Sequence, residues 1–152
     1  MLPPNPSKEI YFADIRQPGP RKTKKDMKTD RITGRCYCRS IRYSADAHTF
    51  FRVNCHCENC RRAIGAQSVA FISVAINSFS WDKGKPVRYR TDTGAWRTFC
   101  PDCGTSLTYE SGKRTDQVDI ITATLDYPEA YAPEEDAWEE EKLPWVPLVE
   151  NE

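Results

Sequence analysis

Val53-Asn54-Cys55-His56-Cys57-Glu58-Asn59-Cys60-Arg61-Arg62 places three cysteines within six residues and follows them with two arginines. Side chains two apart on an extended segment share a face, and a C-x-x-C turn brings a third sulfur round to meet them. Cys55, Cys57 and Cys60 therefore read as the ligands of one metal ion. Zinc takes four ligands; a structural site closes the fourth position with protein, and a catalytic site leaves it to water or substrate. What stands fourth here has to come from elsewhere in the chain or from outside it.

Working outward, the other four of the seven cysteines fall in two pairs, Cys36-Tyr37-Cys38 and Cys100-Pro101-Asp102-Cys103. A zinc-ribbon grouping of Cys57/Cys60 with Cys100/Cys103 would strand three thiols. It would also span 39 intervening residues, where such ribbons use about 15–20. Joining Cys36/Cys38 to Cys100/Cys103 and keeping Cys55, Cys57 and Cys60 together uses every cysteine, as one closed site and one open one. The histidines are His48 and His56. His56, between two ligands on an extended chain, should face away from the ion, and His48 at the start of a strand reads as a surface residue. A dication bearing three thiolates is already net negative, so it suits an external thiol better than a strong hydroxide. Arg61 and Arg62, with Arg42 and Arg97 as further candidates, could grip a carboxylate, whose geometry a guanidinium fork matches.

The 152 residues allow one domain with a core. Twenty-two basic and 22 acidic residues cancel, which implies no global attraction to nucleic acid or membrane. The charge is uneven, however: residues 1–35 carry nine Lys/Arg against four Asp/Glu, and residues 129–152 carry nine Asp/Glu against Lys142. Residues 1–30, rich in Pro, Lys and Thr, read as a flexible basic arm and 31–149 as the zinc domain. Neither an apolar leader nor a membrane-length apolar segment is present, so a soluble cytoplasmic protein is expected. In a reducing compartment tightly spaced cysteines are ligands before they are disulfides.

Elements are short and β-like. Alternation at Ile41–Ser44, the apolar run around Phe50, Phe51 and Val53, and the β-branched stretch Ser68–Ile76 predict strands. So do Val87–Thr91, Trp96–Cys100, Thr105–Glu110 and Gln117–Leu125. Glu58–Ile64 predicts a short helix stopped at Gly65, and Cys100–Gly104 the knuckle of a hairpin, with Gly104 supplying a positive φ. Glu134–Lys142 predicts an acidic helix, and Leu143-Pro144-Trp145-Val146 an apolar clip on the domain. The expected class is mainly β.

Five segments together resemble the glutathione-dependent formaldehyde-activating enzymes, a family that includes the centromere protein V relatives. They are Gly34–Cys38 with Ile41–Tyr43, Cys55–Gly65, Arg97–Thr105, Leu125–Pro128 and Lys142–Trp145. The resemblance implies a β-tent fold of small curled antiparallel sheets around two zinc sites. Cys36, Cys38, Cys100 and Cys103 would hold a structural zinc; Cys55, Cys57 and Cys60 would hold the catalytic one. It implies a carbon–sulfur lyase adding glutathione, or a related thiol, to formaldehyde or a small aldehyde, to give the S-hydroxymethyl adduct. Arg61 and Arg62 would bind the carboxylates of the thiol. The alternative function is a non-catalytic zinc module for a macromolecular partner, engaged through the basic arm. Two departures stand out: Arg39 where members commonly have glycine, and Glu135-Asp136-Ala137-Trp138 where they often show a histidine.

Overall fold

The structure, a computed structural model, describes residues 31–150; the basic arm expected at 1–30 lies outside the described residues. Among the described residues ten strands form two sheets. The smaller joins β1 (Arg31–Arg35), β2 (Arg42–Asp46) and β5 (Ser80–Lys83) in the order β1-β2-β5, all antiparallel. The larger contains β3 (Phe51–Cys55), β4 (Val69–Ala75), β6 (Val87–Arg90), β7 (Trp96–Phe99), β8 (Ser106–Glu110), β9 (Gln117–Ile121) and β10 (Glu135–Ala137). Its order is β10-β3-β4-β9-β8-β7-β6. A helix, α1 (Glu58–Ile64), follows β3 directly. Among the described residues no helix is long and apolar enough to cross a membrane.

Local sequence explains the punctuation. Cys57 is the N-cap of α1, its sulfur accepting from the Cys60 N–H at 3.3 Å, and Gly65 ends the helix at φ 72°. Gly65 thus takes the left-handed cap that glycine adopts without a Cβ penalty. Gly104 turns the β7–β8 knuckle at φ 76°. Arg39 stands at φ 69°, a region in which a side chain is strained and glycine is not.

The main core lies between the sheets. Ile32, Ile41, Tyr43, Ile72, Val74, Leu107, Val118, Ile120 and Leu125 are buried together. β4 reads as a continuous apolar run because it is central in its sheet, between β3 and β9. Asp126 ties the β9 exit to the small sheet, accepting from Thr33 Oγ1 at 2.7 Å and Arg42 Nη2 at 2.9 Å. Tyr43 packs beneath Gly34, its hydroxyl 2.6 Å from Thr124 Oγ1. A Cβ on Gly34 would collide with the Tyr43 ring and lie 2.6 Å from the Thr124 carbonyl oxygen. Gly34→Ala is expected to cost about 2–3 kcal/mol, read as a lowered urea midpoint with an unchanged slope.

Two expected elements differ. Glu134–Lys142 is not a helix: Glu135–Ala137 forms β10, parallel to β3, and Glu139–Glu141 is a single 3-10 turn. The edge of β3 offers unpaired backbone groups that this segment satisfies, and five glutamates and an aspartate against the single Lys142 give a helix little pairwise charge support. The strand expected over Gln117–Leu125 ends at Ile121, where Thr122–Thr124 tightens into a 3-10 turn.

Candidate metal centres and cleft

Cys36 and Cys38 follow β1, and Cys100 and Cys103 occupy the β7–β8 knuckle, 62 residues or more away along the chain. All four sulfurs lie within 4.8 Å of one another. Cys36 Sγ is 3.6 Å from Cys38 Sγ, which is 3.8 Å from Cys100 Sγ. Four thiolates about a tetrahedral zinc, with Zn–S near 2.3 Å, have sulfur–sulfur edges of about 3.8 Å. Donor type and spacing therefore fit such an ion. The outer shell is in place too: the Ile41 N–H points at Cys36 Sγ (3.3 Å), and the Ser40 hydroxyl lies 3.1 Å from Cys38 Sγ and 3.2 Å from Cys100 Sγ. The Thr105 hydroxyl, 3.2 Å from Cys103 Sγ, leads the contacts that hold that thiol down to about 5. Groups of this kind orient thiolates toward a metal.

Cys55, at the end of β3, joins Cys57 at the helix cap and Cys60 in the first turn of α1 as a second cluster within 4.8 Å. Among the described residues no His or carboxylate joins it as a fourth donor. Cys60 is held down to about 5, chiefly by the Cys55 thiol beside it and further by Arg97, whereas the same Cys55–Cys60 contact, with burial, pushes Cys55 far up. Ionising all three sulfurs together is opposed by their mutual repulsion, which a cation among them would relieve.

The histidines take the roles expected of them. His48 is exposed, its ring 5.5 Å from that of Phe50. His56 is fully buried and turned to a different partner: its Nε2 lies 2.6 Å from Asp136 Oδ1. Burial alone would raise the Asp136 carboxyl, but the hydrogen bonds from His56 and from the Val149 N–H (2.7 Å) outweigh it and hold the group below the usual carboxylate range. With the His56 N–H donating to the Ala137 carbonyl at 2.9 Å, the 135–149 segment clasps the cysteine loop. Asp136→Ala would leave His56 Nε2 buried without a partner. The expected cost is about 1–3 kcal/mol, with Asp136→Asn milder because it keeps an acceptor; thermal melts of both variants check the order.

The second cluster opens on a cleft of about 1250 Å³. Its lining comes from β3, α1, β7 and β8 and from the turn after β10, including Cys55, Cys57, Cys60, Arg97, Tyr109, Lys113 and Trp138. Arg61 and Arg62 do not line it: Arg62 Nε pairs with Glu58 Oε1 at 2.7 Å along the helix. Arg42 is bound to Asp126 in the small sheet. Arg97 does reach the site, its Nη2 3.5 Å from Cys60 Sγ and its guanidinium carbon 4.8 Å from the Tyr109 ring centre. Sequence spacing missed Lys113 and Trp138, since nothing local marks a loop residue that only strand order brings to the cleft. The one signal at Trp138 is backbone geometry, a left-handed φ of 58° with its ring more than half exposed.

Comparison with known proteins adds three findings. The family model described as glutathione-dependent formaldehyde-activating enzyme matches residues 31–141. An uncharacterized lyase of Schizosaccharomyces pombe is 33% identical over 82 residues, 53% of this chain and 59% of that protein. The chain thus matches about three-fifths of the length of this curated relative. A crystal structure of a Rhodobacter sphaeroides protein superposes with a TM-score of 0.53 at 19% identity, over 62% of this chain and 87% of the other. At that identity the likeness concerns the fold alone.

Proposed function

The chain belongs to the family of glutathione-dependent formaldehyde-activating enzymes, and from that membership and its cleft we propose that it is a zinc-dependent carbon–sulfur lyase with glutathione or a related thiol as substrate. In the synthetic direction the thiol sulfur bonds to the carbonyl carbon of formaldehyde or a small aldehyde. The C=O π bond becomes a C–O single bond, and the thiol proton ends on that oxygen. The observation that carries the reading is the three-sulfur cluster without a fourth protein donor among the described residues, facing a cleft large enough for a peptide-sized thiol.

Cys55, Cys57 and Cys60 would hold one zinc ion, and Cys36, Cys38, Cys100 and Cys103 a second, structural one. When bound, the first ion supplies a vacant position at which a thiol is more readily ionised. The protein's own part is to position and to exclude. β3 and α1 hold the three sulfurs at one end of the cleft. Phe51, Phe71, Phe99 and Tyr109 give it walls that disfavour ordered water. The carboxylate-binding role expected of Arg61 and Arg62 fits better on cations that line the cleft. Arg114 is committed to Asp119 at 2.8 Å and Arg97 is directed at Cys60 Sγ, which leaves Lys113 as the cleft-lining cation for that role, without a carboxylate partner among the described residues.

The test is exchange NMR of glutathione with formaldehyde at matched pH, with and without zinc-loaded protein. Adduct formation faster than the uncatalysed reaction, in proportion to protein concentration, supports the reading; equal rates overturn it.

A further inference from the structure

Arg97 sits where the charge of the three-cysteine site is decided. Its position is fixed by strand pairing on both sides, opposite Tyr89 on β6 and Tyr109 on β8. Its guanidinium lies over the Tyr109 ring at 4.8 Å and directs Nη2 to Cys60 Sγ at 3.5 Å. Among the described residues no other lysine or arginine hydrogen-bonds to Cys55, Cys57 or Cys60 Sγ.

A dication held by three thiolates carries one net negative charge, and an anionic sulfur ligand would make it two. In a half-buried cleft such a concentration of like charge is opposed by several times more free energy than in open water. One guanidinium in contact with the cluster offsets it, and the stacking on Tyr109 keeps the cation there without a carboxylate that would neutralise it.

We infer that Arg97 is a positioning residue that makes the three-cysteine site accept an anionic sulfur ligand in preference to a neutral donor. The inference rests on the metal-site reading above but not on the thiol being glutathione. Arg97 acts here through the site's charge, a role distinct from gripping a substrate carboxylate.

The test uses cobalt-loaded full-length protein, whose visible absorption reports ligand exchange at the metal, titrated with 2-mercaptoethanol, glutathione and imidazole. Arg97→Gln is expected to weaken both thiols by about tenfold or more while changing imidazole less than about twofold; Arg97→Lys, which keeps the charge without the fork, recovers part of the loss. 2-Mercaptoethanol has no carboxylate, so a loss confined to glutathione would make Arg97 a carboxylate grip and overturn the inference. Equal weakening of thiols and imidazole, or no change in any, would overturn it as well. Wild-type protein that takes up 2-mercaptoethanol in an Arg97-dependent way but ignores glutathione leaves the inference standing and removes the glutathione reading. Wild-type protein that takes up neither thiol removes both.

Discussion

Cys100→Ser is expected to abolish the cooperative thermal transition of the protein. Cys100 is completely buried, and its cluster joins the β1–β2 connection of the small sheet to the β7–β8 knuckle of the large one. An ion held there is a cross-link between sheets that are otherwise joined by side-chain packing and by the hydrogen bonds of Asp126 and Tyr43 near the β9 exit. Structural zinc in small domains contributes about 10–16 kcal/mol of apparent binding free energy, and whole domains of this size are stable by about 5–15 kcal/mol. Losing one of four thiolates therefore removes stability comparable to the total. Circular dichroism melts should show a broad, non-cooperative loss of signal, and metal analysis should show the structural ion gone. A variant melting within a few degrees of wild type with its metal content unchanged would mean that packing, and not a metal, joins the sheets.

Cys57→Ser should separate chemistry from folding. Cys57 is the N-cap of α1, and the atom that caps is its sulfur. Serine is among the best N-cap residues, so the helix start survives the replacement. The His56–Asp136 contact and the pairing of β10 with β3 do not depend on the sulfur. The melting temperature is expected to stay within about 3 °C of wild type, a stability change under about 1 kcal/mol. Adduct formation should fall to the uncatalysed rate, and metal content should drop by the ion of the open cluster. The contrast between the two serine variants is the informative result: one loses the fold, the other only the chemistry. Both losing the fold would make the two clusters equally structural.

Much of the site was legible because metal ligation is written in short spacings. Cys55, Cys57 and Cys60 meet because a strand runs straight into a helix, and both periods are local. The helix itself, Glu58–Ile64 with Gly65 as its stop, was readable for the same reason. The pairing of Cys36/Cys38 with Cys100/Cys103 followed from the cysteine count, and the resemblance to a known family agreed with it. The arginines went differently. Arg61 and Arg62 adjoin the cysteines in sequence, but they follow the last of them on a helix whose exposed turn gives Arg62 a glutamate instead of the cleft. Arg97, 37 residues from Cys60, reaches the sulfur because strand pairing carries β7 across the sheet to it. The acidic segment misled for a related reason: five glutamates and an aspartate read as a solvated helix, while Asp136 is in fact drawn against a buried histidine.

The sequence by itself determined which atoms can hold metal, where the helix Glu58–Ile64 lies, that the domain is mainly β, and to which family it belongs. These rest on spacing, periodicity and motif, which no tertiary context had to supply. Only the tertiary structure decided which cation stands against the open cluster, that β10 closes the edge of β3, and that His56 is spoken for by Asp136. Those contacts join residues 37 to 82 positions apart, and at such separations the partner is chosen by sheet order and burial, quantities that local sequence does not contain.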